Sequence, residues 1–347
     1  VTARFDGLDR VRAAAMLLGV VYHATWAFMP DVGKWYPVQA DATWSGFAVI
    51  AALVHAVRMP VFFTLSGFFA ALVMDRRGDR FLVDRFKRLM VPFLVAVPLN
   101  LGVDLLIRRA SLAQGTMHAG YAGQGEWLLR PLHLWFLEYL FLYCLVAWGL
   151  VATPLTVRLG GVLKRPEVVL LASALTAATV VAWGEPQPAF SFVPSLGSLA
   201  YFAPFFGFGW ALYGAREQAQ VLQRRGWWMA LASVALCLFV FTRPLQWQWQ
   251  GQVLAAVAAW LMVLGVLGPA MKPGSRPAGA LVQSAYWVYL LHHPLVQGGQ
   301  VLVAKQPWPA WVGYLVVVAG TFVVSFGSFW LVVRRTPLAP WVGAKRV

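Results

Sequence analysis

Charge is scarce in this sequence, and acidic charge most of all. Its 347 residues hold 28 Lys and Arg against 13 Asp and Glu, 12% together, where a soluble protein carries about a quarter. That shortage excludes a water-facing surface over most of the chain. With 60% hydrophobic residues and a mean hydropathy of +0.66, the composition is that of a polytopic membrane protein. Cysteine is nearly absent: Cys144 and Cys237 both lie in apolar runs, so they read as small core residues and suggest neither a disulfide nor a metal site. No metal-ligand spacing, Ser-centred nucleophile elbow or Cys–His pair with a plausible base occurs, and no permanently bound cofactor is expected. No soluble domain, long linker or low-complexity tract is present, so the chain is expected to be one integral-membrane domain, 1–347. The first apolar segment is too long for a cleavable signal peptide and lacks a small-residue cleavage site. The chain starts at Val1, and a few residues are expected to be missing before it. The net charge of +15 does not point to nucleic acid, because membrane proteins gather Lys and Arg in cytoplasmic loops.

What is present is a series of long apolar runs. Ten spans are expected, at about 8–29, 47–73, 90–107, 127–150, 167–184, 196–214, 227–242, 251–268, 281–303 and 309–333. The fold class is therefore all-α, a transmembrane helical bundle. With the N-terminus inside, twenty-one basic residues fall on the cytoplasmic side and six, Arg108 and Arg109 among them, on the other, which predicts both termini in the cytoplasm. Residues 76–92, RRGDRFLVDRFKRLMVP, alternate apolar and basic side chains and predict an amphipathic helix on the inner leaflet. Its cations suit anchoring to anionic lipid first, and as a second reading they also hold the phosphates of a cytoplasmic nucleotide donor. The outward loops 31–44, 114–131 and 243–252 are rich in Trp and Gln, which suits a membrane-edge belt or stacking on sugar rings.

Ionisable residues inside spans are costly and mark function by default. In the first span, LDRVRAAAMLLGVVYHATWAFM (8–29), Arg12 and His23 are eleven residues apart. On an α-helix that separation returns to within about 20° of the same face, with an axial offset of about 16 Å. By the same rise, His23 lies about 9 Å from the outer end of its span, with His133 at a similar depth, while Arg58 and Glu138 fall near the midplane. His292 and His293 are also near the middle of their span, where Pro294 should free backbone carbonyls. Overlapping depths on four helices suggest a buried polar cavity. Each residue also has a plainer reading. Arg58 and Glu138 form either a buried ion pair or an anion site with an orienting carboxylate; Arg12 is either a cytoplasmic anchor paired with Asp9 or a donor contact. His133, His292 and His293 are either hydrogen-bonded core or part of the site. His55 and His118 look unremarkable, and Ser66 beside Gly67 reads as a helix-packing residue. A neutral imidazole at His23 suits a general base acting on a hydroxyl, or a nucleophile forming a transient acyl-imidazole.

At these residues the sequence resembles the acyltransferase 3 family of integral membrane proteins. The likeness rests on Arg12 followed by His23, RMPVFFTLSGFF (58–69), RFLVDRFKRLMVPFL (80–94), HLWFLEYLFLY (133–143) and YWVYLLHHPLV (286–296). Within the family it is most similar to members that succinylate osmoregulated periplasmic glucans, on LLHHPLV, HLWFLEYL and the absence of an esterase-like domain. The resemblance implies a bacterial inner-membrane enzyme that takes an acyl group from cytoplasmic succinyl-CoA (or acetyl-CoA) and gives it to a periplasmic glucan hydroxyl. It implies His23 as the essential catalytic residue, Arg12 and Arg58 as functional arginines, and the Phe–Ser–Gly stretch with Ser66 as part of the site. Taken with the residue depths and the basic helix, the expected site has Glu138 and Arg58 beside His23, donor contacts from Arg12, Arg58, Arg85, Lys87, Arg88 and Ser66, and an acceptor cavity lined by His133, Trp135, His292 and His293. Membrane lipids are expected partners, and a homo-oligomer stays open. Two alternatives remain: O-acetylation of another surface polysaccharide and, from a different class, transport of glycans or acyl carriers with the intramembrane charges as a proton relay.

Overall fold

The computed structural model describes residues 5–32, 36–117, 121, 130–151, 167–184, 191–214, 226–243, 245, 248–271, 279–337 and 339. Helices account for all the regular structure among them: α1 (Asp6–Thr25), α2 (Gly46–Arg77), α3 (Phe81–Arg85), α4 (Val91–Ala113), α5 (Trp135–Val151), α6 (Glu167–Trp183), α7 (Leu196–Gly214), α8 (Gly226–Phe241), α9 (Trp249–Ala270), α10 (Ala280–Val303) and α11 (Ala310–Leu331). A helix lies in each stretch expected to span. Five helical runs, Asp6–Phe28, Gly46–Ala113, Leu132–Val151, Trp249–Ala270 and Ala310–Arg335, are long and apolar enough to cross a membrane. Of the basic residues counted on the two sides, Arg4, Lys34, Arg158, Lys164, Arg165, Arg216, Arg224, Arg225, Lys272, Arg276, Lys345 and Arg346 lie outside the described residues, as do His118, most of loop 114–131 and part of 243–252.

The basic segment 76–92 is helical but continuous with its neighbours. After α2 ends at Arg77, a turn at Gly78–Arg80 leads into α3. Gly78 has φ +48° there, a left-handed value that glycine adopts without a side-chain clash. One π-helical turn, Phe86–Met90, then runs straight into α4. Phe81 and Leu89 are buried while Val83 and Phe86 are exposed.

The chain packs as two compact units. The first comprises Val1–Ala15, Ala56–Phe93 and Trp135–Ala278. Here glycine lets backbones meet: a Cβ at Gly67 on α2 would strike the Phe206 carbonyl of α7, and one at Gly209 on α7 would strike the Thr64 carbonyl of α2. Small residues at such crossings allow the close approach that stabilises helices in lipid. Phe63 stacks on Phe202 at 4.4 Å and meets Phe136 and Tyr143 edge-on. Elsewhere in the unit, Trp260 Nε1 of α9 donates to Thr176 Oγ1 of α6 at 3.1 Å, and Ser233 Oγ of α8 donates to the Ala258 carbonyl of α9 at 2.6 Å. Cys144 and Cys237 are free and buried, in keeping with a core role.

The second unit comprises Met16–His55, Leu94–Leu134 and Gly279–Val347. Its apolar core joins Val20, Ala24 and Phe28 to Ile107, Val288, Val296, Val301 and Val317. The loop after α1 is tied down by backbone hydrogen bonds: Ala40 N–H to the Ala27 carbonyl at 2.9 Å, Asp41 N–H to Ala304 at 3.0 Å and Gln39 N–H to Thr116 at 2.8 Å. That strapping buries Tyr36, Val38 and Ala40.

Candidate functional site

The last turn of α1 carries His23 into a cluster of imidazoles in the second unit. Its ring centroid lies 4.9 Å from that of His293, 5.3 Å from His292 and 6.4 Å from His133. His133 stacks on His293 at 5.0 Å and meets His292 at 4.7 Å. Tyr289, one turn before the histidine pair on α10, organises the cluster. Its carbonyl accepts from His133 Nε2 at 3.0 Å and from His292 Nδ1 at 2.8 Å, while its hydroxyl donates to the His133 carbonyl at 3.1 Å. With Nε2 donating, a neutral His133 keeps its lone pair on Nδ1, and that atom, like Nδ1 of His293, is buried without a hydrogen-bond partner among the described residues. Pro294 has no N–H, so the Leu290 carbonyl four residues earlier is released from the helix ladder. Asn100 Nδ2 of α4 donates to it at 3.4 Å. Leu132, just before His133, has φ +52°, an uncommon and strained value for a leucine.

Three further sets of residues join this unit, and the sequence reading did not single them out. Tyr22 touches His23 edge-on at 4.8 Å and stacks on His55 at 5.3 Å, so His55 belongs to the aromatic surroundings of the cluster. Gln300 Nε2 donates to the carbonyls of His23 and Ala24, each at 3.1 Å, and its Oε1 accepts from the Tyr36 hydroxyl at 2.7 Å. Arg108, expected in water on the outer side, is instead 7% exposed. Its Nε donates to Asp104 Oδ2 at 2.6 Å, and its guanidinium lies 4.6 Å over the Tyr121 ring. The reason is Asp104 one turn earlier, whose charge makes a buried arginine tolerable. Asp104 and Arg108 at i and i+4 near the end of an apolar span was the signal that could have revealed them. Burial, and next the Asp104 carboxylate, hold the Tyr36 phenol well above its ordinary pKa; burial likewise pushes Tyr121 up to about 12, against the pull of Arg108.

The remaining candidates belong to the first unit. Arg12 Nη2 pairs with Asp9 Oδ1 at 2.8 Å, the i,i+3 partner expected for it, and its guanidinium lies 4.8 Å over the Phe69 ring. Arg85 and Arg88 act on the Arg12 charge, so three cations of the sequence prediction are neighbours; Lys87 and Arg88 are exposed and Arg85 half-buried. Arg58 is half-buried, with Nη2 3.6 Å from Met59 Sδ. Glu138 is half-buried, its Oε2 without a hydrogen-bond partner among the described residues. Trp135 is buried among Phe63, Tyr139 and Phe202, and Ser66 is buried beside the Gly67 crossing. Among the described residues no group of three or more His, Cys, Asp or Glu could hold a metal ion.

An imidazole with neighbours of this kind can take a proton from a hydroxyl or carry an acyl group, and the guanidinium cluster can hold phosphates. Comparison with known proteins points the same way. The family model described as an acyltransferase domain (acyltransferase 3) matches residues 5–330. Among curated proteins, the glucans biosynthesis protein C of Salmonella paratyphi B and that of Salmonella heidelberg are each 33% identical over 93 residues, 26% of this chain. The match spans 23% of the length of those relatives. No solved structure matches. The chain belongs to the acyltransferase 3 family and is a multi-pass, membrane-bound acyltransferase.

Proposed function

We propose that this acyltransferase moves a succinyl group from cytoplasmic succinyl-CoA to hydroxyls of periplasmic glucans, in a bacterial inner membrane, with both termini in the cytoplasm and the basic segment 76–92 against the inner leaflet. The observation that carries the reading is His23, set by its backbone and ringed by His133, His292 and His293. The partial likeness to glucans biosynthesis protein C supports a glucan acceptor, and the half-buried Arg58 supports an acyl group that ends in a carboxylate. Membership in an acyltransferase family disfavours the transporter alternative.

In this reading Arg12, with Arg85 and Arg88, holds the phosphates of CoA, with Lys87 and Ser66 at the same end. His23, eleven residues along the same helix from Arg12, receives the thioester. The His23 imidazole takes the proton of a sugar hydroxyl as its oxygen attacks the thioester carbonyl carbon. The C–S bond then breaks and the proton passes to the departing CoA thiolate. In the two-step form a His23 nitrogen first displaces CoA, and the sugar oxygen then displaces the nitrogen. Arg58 is the partner for the succinyl carboxylate, Glu138 orients a histidine, and His133, Trp135, His292 and His293 line the acceptor side.

The test is release of free CoA by purified protein from succinyl-CoA and from acetyl-CoA, with and without a short β-glucan. Glucan-dependent release from succinyl-CoA that His23→Ala abolishes is the expected result. Release from acetyl-CoA alone overturns the succinyl assignment. Release unaffected by His23→Ala overturns the role of the histidine.

A further inference from the structure

One face of α4 repeats polar residues at helical spacing, Asn100, Asp104 and Arg108, and all three are buried. On α10, Gln297 and Gln300 continue the line of His293 and are buried too. Tyr36 ties the two stripes together: its hydroxyl donates to Gln300 Oε1, Gln297 also reaches it, and Asp104 and Tyr121 lie within electrostatic range. At the other end, Asn100 bonds the Leu290 carbonyl beside the histidines, and Asp104 and Arg108 act electrostatically on His293. A polar path thus runs from the strapped loop at Tyr36 and Tyr121 to the imidazole cluster.

Its hydrogen bonds do not close. Asn100 Oδ1, Asp104 Oδ1 and Gln297 Oε1 are buried with no hydrogen-bond partner among the described residues. Native proteins rarely leave buried acceptors unmet, and each costs free energy if nothing donates to it. All three are acceptors, so the missing partner is a molecule rich in O–H or N–H donors. Beside the three oxygens, Arg108 is already compensated by Asp104 at 2.6 Å; a second cation, Arg130, acts electrostatically on Tyr121 at the loop end of the path. An anion would therefore meet a neutral pair and three oxygen lone pairs, which disfavours the acyl carboxylate or a phosphate here. A polyol meets the requirement: each sugar hydroxyl donates once, and Tyr121 adds an aromatic ring beside it.

We propose that Asn100, Asp104 and Gln297 form the acceptor subsite, which binds the hydroxyls of a neutral carbohydrate and leads one of them to His23. The assignment rests on the acyl-transfer reading above and deepens it. Water is the competing donor, and the experiment separates the two.

The measurement is binding of a linear β-glucan oligosaccharide to His23→Ala protein in detergent by saturation-transfer NMR, together with acceptor and donor KM in the active background. The variants are Gln297→Met and Asn100→Leu, which at nearly constant volume remove an acceptor oxygen together with the amide that reaches Tyr36 or the Leu290 carbonyl. Losing one hydrogen bond of about 1 kcal/mol corresponds to a roughly fivefold weaker fit. The expected result is an acceptor KM and glucan Kd raised about fivefold or more by each variant, with a succinyl-CoA KM within about twofold. Unchanged acceptor KM and glucan binding in both variants mean the oxygens bind only water and overturn the subsite. A raised donor KM with unchanged glucan binding overturns it as well. Failure of the parent His23→Ala protein to bind glucan does the same. If the parent binds glucan, the variants lose it and succinyl-CoA goes unused, the subsite stands and the succinyl reading falls.

Discussion

The side-chain amide of Gln300 holds the backbone of His23: Gln300 Nε2 donates to the His23 carbonyl at 3.1 Å from a residue 277 positions away. The neighbouring Ala24 carbonyl accepts from the same nitrogen. A 3-10 turn, Trp26–Phe28, follows α1 directly, and this amide adds a side-chain donor to the carbonyls at that junction. Tyr36 keeps the amide oriented by donating to its oxygen. The catalytic candidate is thus fixed through its main chain.

Gln300→Leu should slow turnover more than it weakens binding. The expected loss in kcat is about tenfold, the equivalent of about 1.4 kcal/mol of transition-state positioning, with the succinyl-CoA KM within about twofold. Leaving the buried Tyr36 hydroxyl and two carbonyls unmet should also cost about 2–4 kcal/mol of stability. Steady-state CoA release and a thermal melt read both; an unchanged kcat would show that His23 needs no such support.

Arg12→Lys should not rescue the donor site. The planar guanidinium pairs with Asp9 and faces the Phe69 ring, and lysine reproduces neither geometry well. The succinyl-CoA KM of Arg12→Lys is expected to rise about fivefold or more, and that of Arg12→Ala further, with the acceptor KM unchanged. An equal rise in the acceptor KM would remove Arg12 from the donor site.

Gly67→Leu and Ser66→Ala separate packing from chemistry in the Ser–Gly pair. A side chain at Gly67 runs into the Phe206 carbonyl, an overpacking that costs about 1–3 kcal/mol or more, so Gly67→Leu should melt earlier. Ser66→Ala should keep the wild-type midpoint. If Ser66→Ala also keeps the wild-type succinyl-CoA KM, Ser66 is a packing residue and not a donor contact.

Leu132 offers a test of strain beside His133. At φ +52° asparagine is tolerated far better than a β-branched residue. Leu132→Asn should therefore melt above Leu132→Val by about 1 kcal/mol or more in stability. Equal midpoints would mean that the turn relaxes around either residue.

Tyr121 sets a pH expectation. Burial pushes its phenol up to about 12, so the folded protein holds that proton where an unfolded tyrosine, near 10, has lost it. Its stabilising contribution is complete below about pH 10 and declines as pH rises from there toward 12. Between pH 6 and 9 the pH–rate profile of Tyr121→Phe should keep the shape of the wild-type profile. In alkaline denaturation the variant should fall less steeply above pH 10. A shifted profile between pH 6 and 9 would mean that Tyr121 titrates within the working range.

The sequence by itself determined that this is a helical membrane protein, where its helices lie, and that Arg12 and His23 share one helix face. It also carried the family, confirmed over residues 5–330. These properties are local: apolar run length sets a span, and the 3.6-residue period sets a face. Even the pairing of Arg12 with Asp9 and the carbonyl released by Pro294 followed from short-range rules. Tertiary structure alone decided which polar residues meet. Asp104 and Arg108 stand where the expected span nears its end, and there a charged residue bound for water and one paired in the core look the same in sequence. His55 seemed ordinary until Tyr22 stacked on it, and Gln300, 277 residues from His23, became its support only because α10 packs beside the end of α1. A polar residue in an apolar helix states that it needs a partner; only the packing of faces decides which partner it gets.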